Sequence, residues 1–82
     1  MKFSDKVIAH VAEVLTVEPS QLNEDTGVGD IPGWDSLAQV RLILSLQEAF
    51  KVTIDIEEAI DLETIEDIVD TLEEKLKLHH KS

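Results

Sequence analysis

Apolar residues Val7, Val11, Val14 and Leu15 recur at i, i+4, i+7 and i+8 and predict a first amphipathic helix, with Ser4 as its N-cap and Phe3 as a hydrophobic staple ahead of it. The pattern lapses from Thr16 to Ser20, where Pro19 opposes continuation, and the chain then runs through Gly27, Gly29, Pro32 and Gly33. A loop of about 18 residues results, longer than the roughly 12 to 15 that compact domains usually leave without a purpose. Leu22, Val28, Ile31 and Trp34 are the side chains expected to pin it over the helices, Trp34 as a packing anchor.

A second helix is expected from Asp35 or Ser36 to Phe50. On a wheel, Leu37, Val40, Ile43, Leu44, Leu46 and Phe50 form a broad apolar face, and Ala38, Arg41, Leu42, Ser45 and Ala49 lie opposite. That outer face is poor in charge, which leaves Leu42 in water and makes it a candidate docking residue beside the two alanines. The segment Lys51 to Ile56 alternates apolar and polar residues like a strand, but it has no partner strand. It reads as an extended loop burying Val52, Ile54 and Ile56. A short helix from about Glu57 to Asp61 follows, and Thr64 with Asp67 resembles a capping box with Asp replacing the usual Glu or Gln. The box opens a last helix with Ile65, Ile68, Val69, Leu72 and Leu76 on one face. The expectation is an all-α domain of three longer helices and a short third one, with a core from about residue 3 to 76 and a polar tail over 77–82.

Composition narrows the picture. Eighty-two residues make one domain, and 43% hydrophobic residues with two Phe, one Trp and no Tyr make an aliphatic core. The chain has no Cys, so neither disulfides nor a zinc–thiolate site can brace it, which fits the cytoplasm. The charged start Met1-Lys2-Phe3-Ser4-Asp5-Lys6 is unlike a signal peptide, and no stretch approaches the roughly 20 apolar residues of a membrane span. Acids outnumber bases 18 to 7, for a formal net charge of −11, which repels nucleic acid and anionic membranes and selects partners with positive patches. Ten of the acids lie between Asp55 and Glu74 with no base among them, a run that reads first as a solvated face. The self-repulsion also predicts lower stability at low salt.

Candidate chemistry centres on Gly33-Trp34-Asp35-Ser36-Leu37, which sets a hydroxyl where a glycine-containing loop turns into a helix. A serine there can simply cap free backbone N–H groups. As a nucleophile it would need a base and an oxyanion hole, and the sequence offers little of either. His10 sits inside the first helix, His79 and His80 are terminal and too few for a metal site, and no G-x-S-x-G elbow is present. Ser36 therefore reads as a substrate for another enzyme, and the chain as no enzyme itself.

Asp35-Ser36-Leu37 at the start of a second helix, after a long loop and before a short third helix and a capped fourth, resembles the acyl carrier protein family from about Phe3 to Leu76. The resemblance implies that a phosphopantetheinyl transferase attaches 4'-phosphopantetheine from coenzyme A, with magnesium, to Ser36 Oγ. Acyl-loading and acyl-transferring enzymes then act on cargo held as a thioester, and the absence of Cys accords with a thiol supplied by the arm. It implies recognition by Asp35 and Leu37, although Leu37 fits the core equally by period, and an adaptable apolar lining for which Val40, Leu44, Ile54, Ile60 and Ile68 are candidates, equally readable as ordinary core. In the common fatty-acid-synthesis pattern the second helix continues with acids. Here Ala38, Gln39 and Arg41 stand there and leave Glu48 as the only acid, which suggests a specialised pathway recognised through Ala38, Arg41, Leu42 and the acidic Glu57 and Glu58. The carrier is expected to be monomeric.

Three rivals stand beside this reading. An aminoacyl or peptidyl carrier shares the fold and arm but usually has glycine-rich residues before the serine, unlike Trp34-Asp35. A calcium module would need Asp or Asn at the fifth loop position and Gly at the sixth, but Asn23-Glu24-Asp25-Thr26-Gly27-Val28 places Gly and Val there. A plain helical interaction module explains the periodicity and leaves Ser36 as a cap.

Overall fold

The computed structural model describes residues 2–81, with side chains described for 2–76. Four helices follow in order: α1 (Phe3–Leu15), α2 (Ser36–Phe50), α3 (Ile56–Ala59) and α4 (Ile65–Lys81). One 3₁₀ turn (Pro19–Gln21) interrupts the long loop between α1 and α2. Among the described residues the only β-type pairing is an isolated bridge between Gly27 and Thr64. The tail expected from residue 77 continues α4 as far as Lys81, while the side chains of His79 and His80, and all of Ser82, lie outside the described residues.

The long helices pack around one aliphatic core. α1 contributes Val7, Val11 and Ala12, α2 contributes Leu42, Ile43 and Leu46, and α4 contributes Ile65, Ile68, Val69 and Leu72. Leu22 and Trp34 close it from the long loop, and Ile54 and Leu62 close it on either side of α3. Of the four side chains expected to pin the loop, Leu22 and Trp34 are buried, Ile31 is half-buried and Val28 is exposed.

Local signals hold at some helix ends and fail at others. The Thr64–Asp67 box forms reciprocally: Asp67 N–H donates to Thr64 Oγ1, and Thr64 N–H donates to Asp67 Oδ2, both at 3.2 Å. Carbonyls of Thr26 and Glu24 accept the next free donors, from Ile65 and Glu66, so the long loop completes the cap of α4. Gly27 lets it come this close, because a Cβ there would collide with the carbonyl oxygen of Glu63. Ser4, by contrast, is no cap. α1 begins two residues earlier than that cap implies, at Phe3, with Lys2 in the cap position and no side-chain bond. Phe3 does not staple that end: its ring meets Phe50 edge-on at 5.4 Å and joins the start of α1 to the end of α2.

Two expected burials are reversed. Leu42 is completely buried, whereas Val40 and Leu44 are 57% and 60% exposed and Leu37 is 67% exposed. Apolar residues occupy so much of α2's circumference that the period alone does not select the inward stripe. The true stripe runs through Gln39, Leu42, Ile43, Leu46 and Phe50, and a polar residue heads it. Ile56 was expected in the core with Val52 and Ile54. Only Ile54 is buried, Val52 is half-buried, and Ile56 is 82% exposed as the first residue of α3. The capping box of Asp55 and Glu58 starts α3 one residue ahead of the expected Glu57 and turns Ile56 outward.

Candidate functional site

Asp35 caps α2. Its backbone is extended, and its Oδ1 accepts the N–H of Ala38 at 2.9 Å. Ser36 is thereby the first helical residue, exposed, and no hydrogen bond among the described residues engages its Oγ. The capping role open to Ser36 is filled by its neighbour. At this position the hydroxyl lies over the positive end of a 15-residue helix, where a phosphoryl group is electrostatically favoured.

The loop is held in register with this turn by a short relay. Trp34 Nε1–H donates to Gln39 Oε1 at 2.8 Å, and Gln39 Nε2–H donates to the carbonyl of Leu62 at 2.8 Å. Trp34 is thus a satisfied packing anchor. Gly29 and Gly33, at φ of 92° and 91°, take the turns that bring Trp34 back over α2, and Gly29 N–H bonds the Trp34 carbonyl at 2.9 Å.

Beside Ser36 opens an apolar groove of about 500 Å³ between α2 and α3, within the roughly 300–1,000 Å³ of small-molecule sites. Val40, Ile43 and Leu44 form its α2 wall, and Ile56, Ala59 and Ile60 form its α3 wall. Val28 and Leu62 line it with Ser36, and Ile54 lines it beside Gln47, to which its N–H is bonded. Four of the five lining candidates, Val40, Leu44, Ile54 and Ile60, line this groove. Ile68 does not, because it is fully buried in the core. Val28, Gln39, Ile43, Gln47, Ile56, Ala59, Leu62 and Glu63 line it too, none of them a candidate for the lining. The glutamines escaped notice because periodicity scores only apolar residues on an inward face.

The remaining residues separate clearly. Leu37 and Arg41 are exposed on α2, and no carboxylate lies within 4 Å of Arg41 among the described residues. Ala38 is half-buried, and Leu42 offers no surface to a partner. Glu57 is exposed. Glu58 is engaged: its Oε1 accepts from Lys75 Nζ at 2.9 Å and from Asp55 N–H at 3.2 Å. The hydrogen bond from Lys75, then that from Asp55, holds its carboxyl below the ordinary glutamate value. In the loop Asn23 to Val28 the Asn23 side chain bonds Asp25 N–H, and no group of three or more His, Asp or Glu among the described residues gathers to hold a metal.

Residues 5–72 match the family model described as "Phosphopantetheine attachment site". The chain is 38% identical over 72 residues to an acyl carrier protein of Thermosynechococcus vestitus, covering 88% of this chain and 89% of that one. It is 38% identical over 71 residues to a non-reducing polyketide synthase of Emericella nidulans, covering 87% of this chain but only 3% of the synthase. Its fold matches the solution structure of holo acyl carrier protein from Geobacter metallireducens with a TM-score of 0.86 at 27% identity, over 99% of this chain and 93% of that one.

The chain therefore belongs to the phosphopantetheine-attachment family and is a carrier domain homologous to acyl carrier proteins. The cofactor of this family is covalently attached 4'-phosphopantetheine, and its role is to tether acyl groups. Carriers of this type work with synthases and transferases and are generally not catalysts. No helix among the described residues is long and apolar enough to cross a membrane.

Proposed function

We propose that Ser36 is the residue that takes phosphopantetheine and that the adjoining groove shelters the acyl chain. The observation that carries the reading is the division of labour at the start of α2: Asp35 supplies the cap, which leaves Ser36 Oγ uncommitted at the rim of an apolar groove. A phosphodiester on this oxygen meets the unpaired backbone donors of the first turn. When bound, the arm supplies a terminal thiol that holds cargo as a thioester and raises its effective concentration at successive enzymes. The chain's own residues do the rest. Asp35 fixes the turn, the Trp34–Gln39–Leu62 relay fixes the loop beside it, and Val40, Leu44, Ile54 and Ile60 offer apolar cover.

An apolar lining favours acyl over aminoacyl cargo. Leu37, Arg41 and Glu57 make the exposed recognition surface with Asp35, and a transferase with acyl-loading and acyl-transferring enzymes are its partners. Arg41, where the common pattern has acids, supports a specialised pathway, and the equal 38% identity to an acyl carrier protein and to one segment of a polyketide synthase accords with fatty-acid and polyketide synthesis alike. The net charge of −11 supports a monomer that meets neither nucleic acid nor anionic membrane, the absence of Cys accords with the cytoplasm, and catalysis is left to the partners.

The test is intact mass before and after incubation with coenzyme A, magnesium and a broad-specificity phosphopantetheinyl transferase. A gain of one phosphopantetheine, absent from Ser36→Ala, is expected. An equal gain in Ser36→Ala places the arm elsewhere, and no gain in unmodified wild type leaves a plain helical module or a carrier with a dedicated transferase.

A further inference from the structure

α3 is fastened differently along its length. Its two flanks are pinned to α2 by glutamine side chains: Ile54 N–H donates to Gln47 Oε1 at 2.9 Å, and the Leu62 carbonyl accepts from Gln39 Nε2 at 2.8 Å. Ile54 and Leu62 are also buried, whereas α3 itself contains no fully buried residue. Ile56 and Ile60, 82% and 76% exposed, line the groove, and Glu58 lies midway between them in sequence, on the opposite side of this short helix. There it meets Lys75 of α4, the first base after the ten acids between Asp55 and Glu74, in the only ion pair among the residues whose side chains are described. Because one Glu58 oxygen accepts both Lys75 and Asp55 N–H, the tie to α4 and the cap of α3 share an acceptor.

We propose that the Glu58–Lys75 ion pair is a latch that holds the middle of α3 and so determines the length of acyl chain the groove accommodates. α3 is a strap hinged at Ile54 and Leu62, and the pair, on the side away from the groove, draws the wall formed by Ile56, Ala59 and Ile60 toward α4 without disturbing the core. With the pair intact the groove keeps its present volume and suits longer chains. With the pair broken the strap relaxes toward α2 and only shorter chains fit. The two side chains are 41% and 22% exposed, so the latch shifts a population and does not lock it. Its strength falls as added salt screens the pair. Glu58 and Lys75 act through the position of α3 and touch no cargo themselves.

The inference rests on the carrier reading for its cargo, so one measurement is chosen that needs no cargo. In the unloaded protein, amide hydrogen exchange over 56–61 is expected to quicken about two- to fivefold in Lys75→Met, the range a partly exposed ion pair supports, with exchange in α1 and α2 unchanged. Glu58→Gln, which keeps an acceptor for Asp55 N–H, is expected to match it, and the double variant is expected to add nothing further. Unchanged exchange over 56–61 in both single variants overturns the latch, whatever the fate of Ser36. In protein loaded through Ser36 with straight acyl groups of graded length, protection of the thioester from hydroxylamine is expected to peak at shorter chains in both variants. An identical length profile with quickened exchange overturns the link to cargo length. Failure to load the wild type strikes the carrier reading, and the exchange result still decides the latch.

Discussion

The indole N–H of Trp34 donates to the side-chain oxygen of Gln39 at 2.8 Å, so the single tryptophan of the long loop is fixed by a residue in the first turns of α2. The other end of the same amide holds the carbonyl of Leu62. One side chain thus sets the spacing of three segments that meet around Ser36: the loop before it, the helix it starts, and the connection from α3 into α4.

Replacing Gln39 by Leu keeps the bulk and removes both bonds, leaving the Trp34 N–H and the Leu62 carbonyl unpartnered. A buried polar group without a partner costs about 1–3 kcal/mol, so the expected loss in urea unfolding is about 2 kcal/mol, with a shift in Trp34 emission. Gln39→Glu keeps the acceptor for Trp34 and loses only the donor to Leu62, so it should fall between. An unchanged unfolding midpoint in Gln39→Leu would show that the relay is not structural.

Asp35 and Ser36 separate stability from modification. Asp35→Ala removes the acceptor of the Ala38 N–H and is expected to cost about 1 kcal/mol. Ser36→Ala removes no bond seen in the fold, so its stability should stay within about 0.5 kcal/mol of wild type, while loading by the transferase is abolished. A Ser36→Ala loss as large as that of Asp35→Ala would make the serine a cap after all.

Sequence reading reached the helix order, the Thr64–Asp67 box and the start of α2 because each is written in local chemistry: a proline, a cap pair, a loop of small residues. It failed where the deciding partner is distant. The wheel sets Leu44 on the broad apolar face and Leu42 opposite it, and only the tertiary packing of α2 against α1 and the shared core sends Leu42 inward and Leu44 to the groove. Gln39 and Gln47 read as ordinary polar residues, since their bonds reach 23 and 7 positions along the chain. Glu58 reads as one acid among ten until Lys75, 17 residues later, is brought to it.

That difference between two leucines is measurable. Leu42→Ala should cost about 2–5 kcal/mol, as cavity-forming core truncations do. Leu44→Ala, on an exposed wall, should stay within about 0.5 kcal/mol and instead weaken protection of a loaded thioester. Equal destabilisation by the two substitutions would mean that the inward stripe of α2 is still misplaced.

The Glu58–Lys75 pair also gives the domain a pH dependence of definite sign. Its carboxyl is held below the ordinary glutamate value in the folded protein, chiefly by the Lys75 hydrogen bond, so folding favours the ionised form. The stabilisation is fully present above the unfolded-state value and is lost as the pH falls through the lowered folded value. Lys75→Met removes the larger cause of the lowering, leaves the Asp55 N–H bond and keeps the apolar stem. The gap in melting temperature between wild type and this variant should therefore be widest near neutral pH, close on acidification through the carboxylate range, and vanish once Glu58 is protonated in both. Added salt at neutral pH should narrow the same gap, because both partners are partly exposed and screened. A gap that holds constant from neutral to acid pH would mean that Lys75 contributes through its stem and not its charge, and the ion pair would then be incidental to how α3 is held.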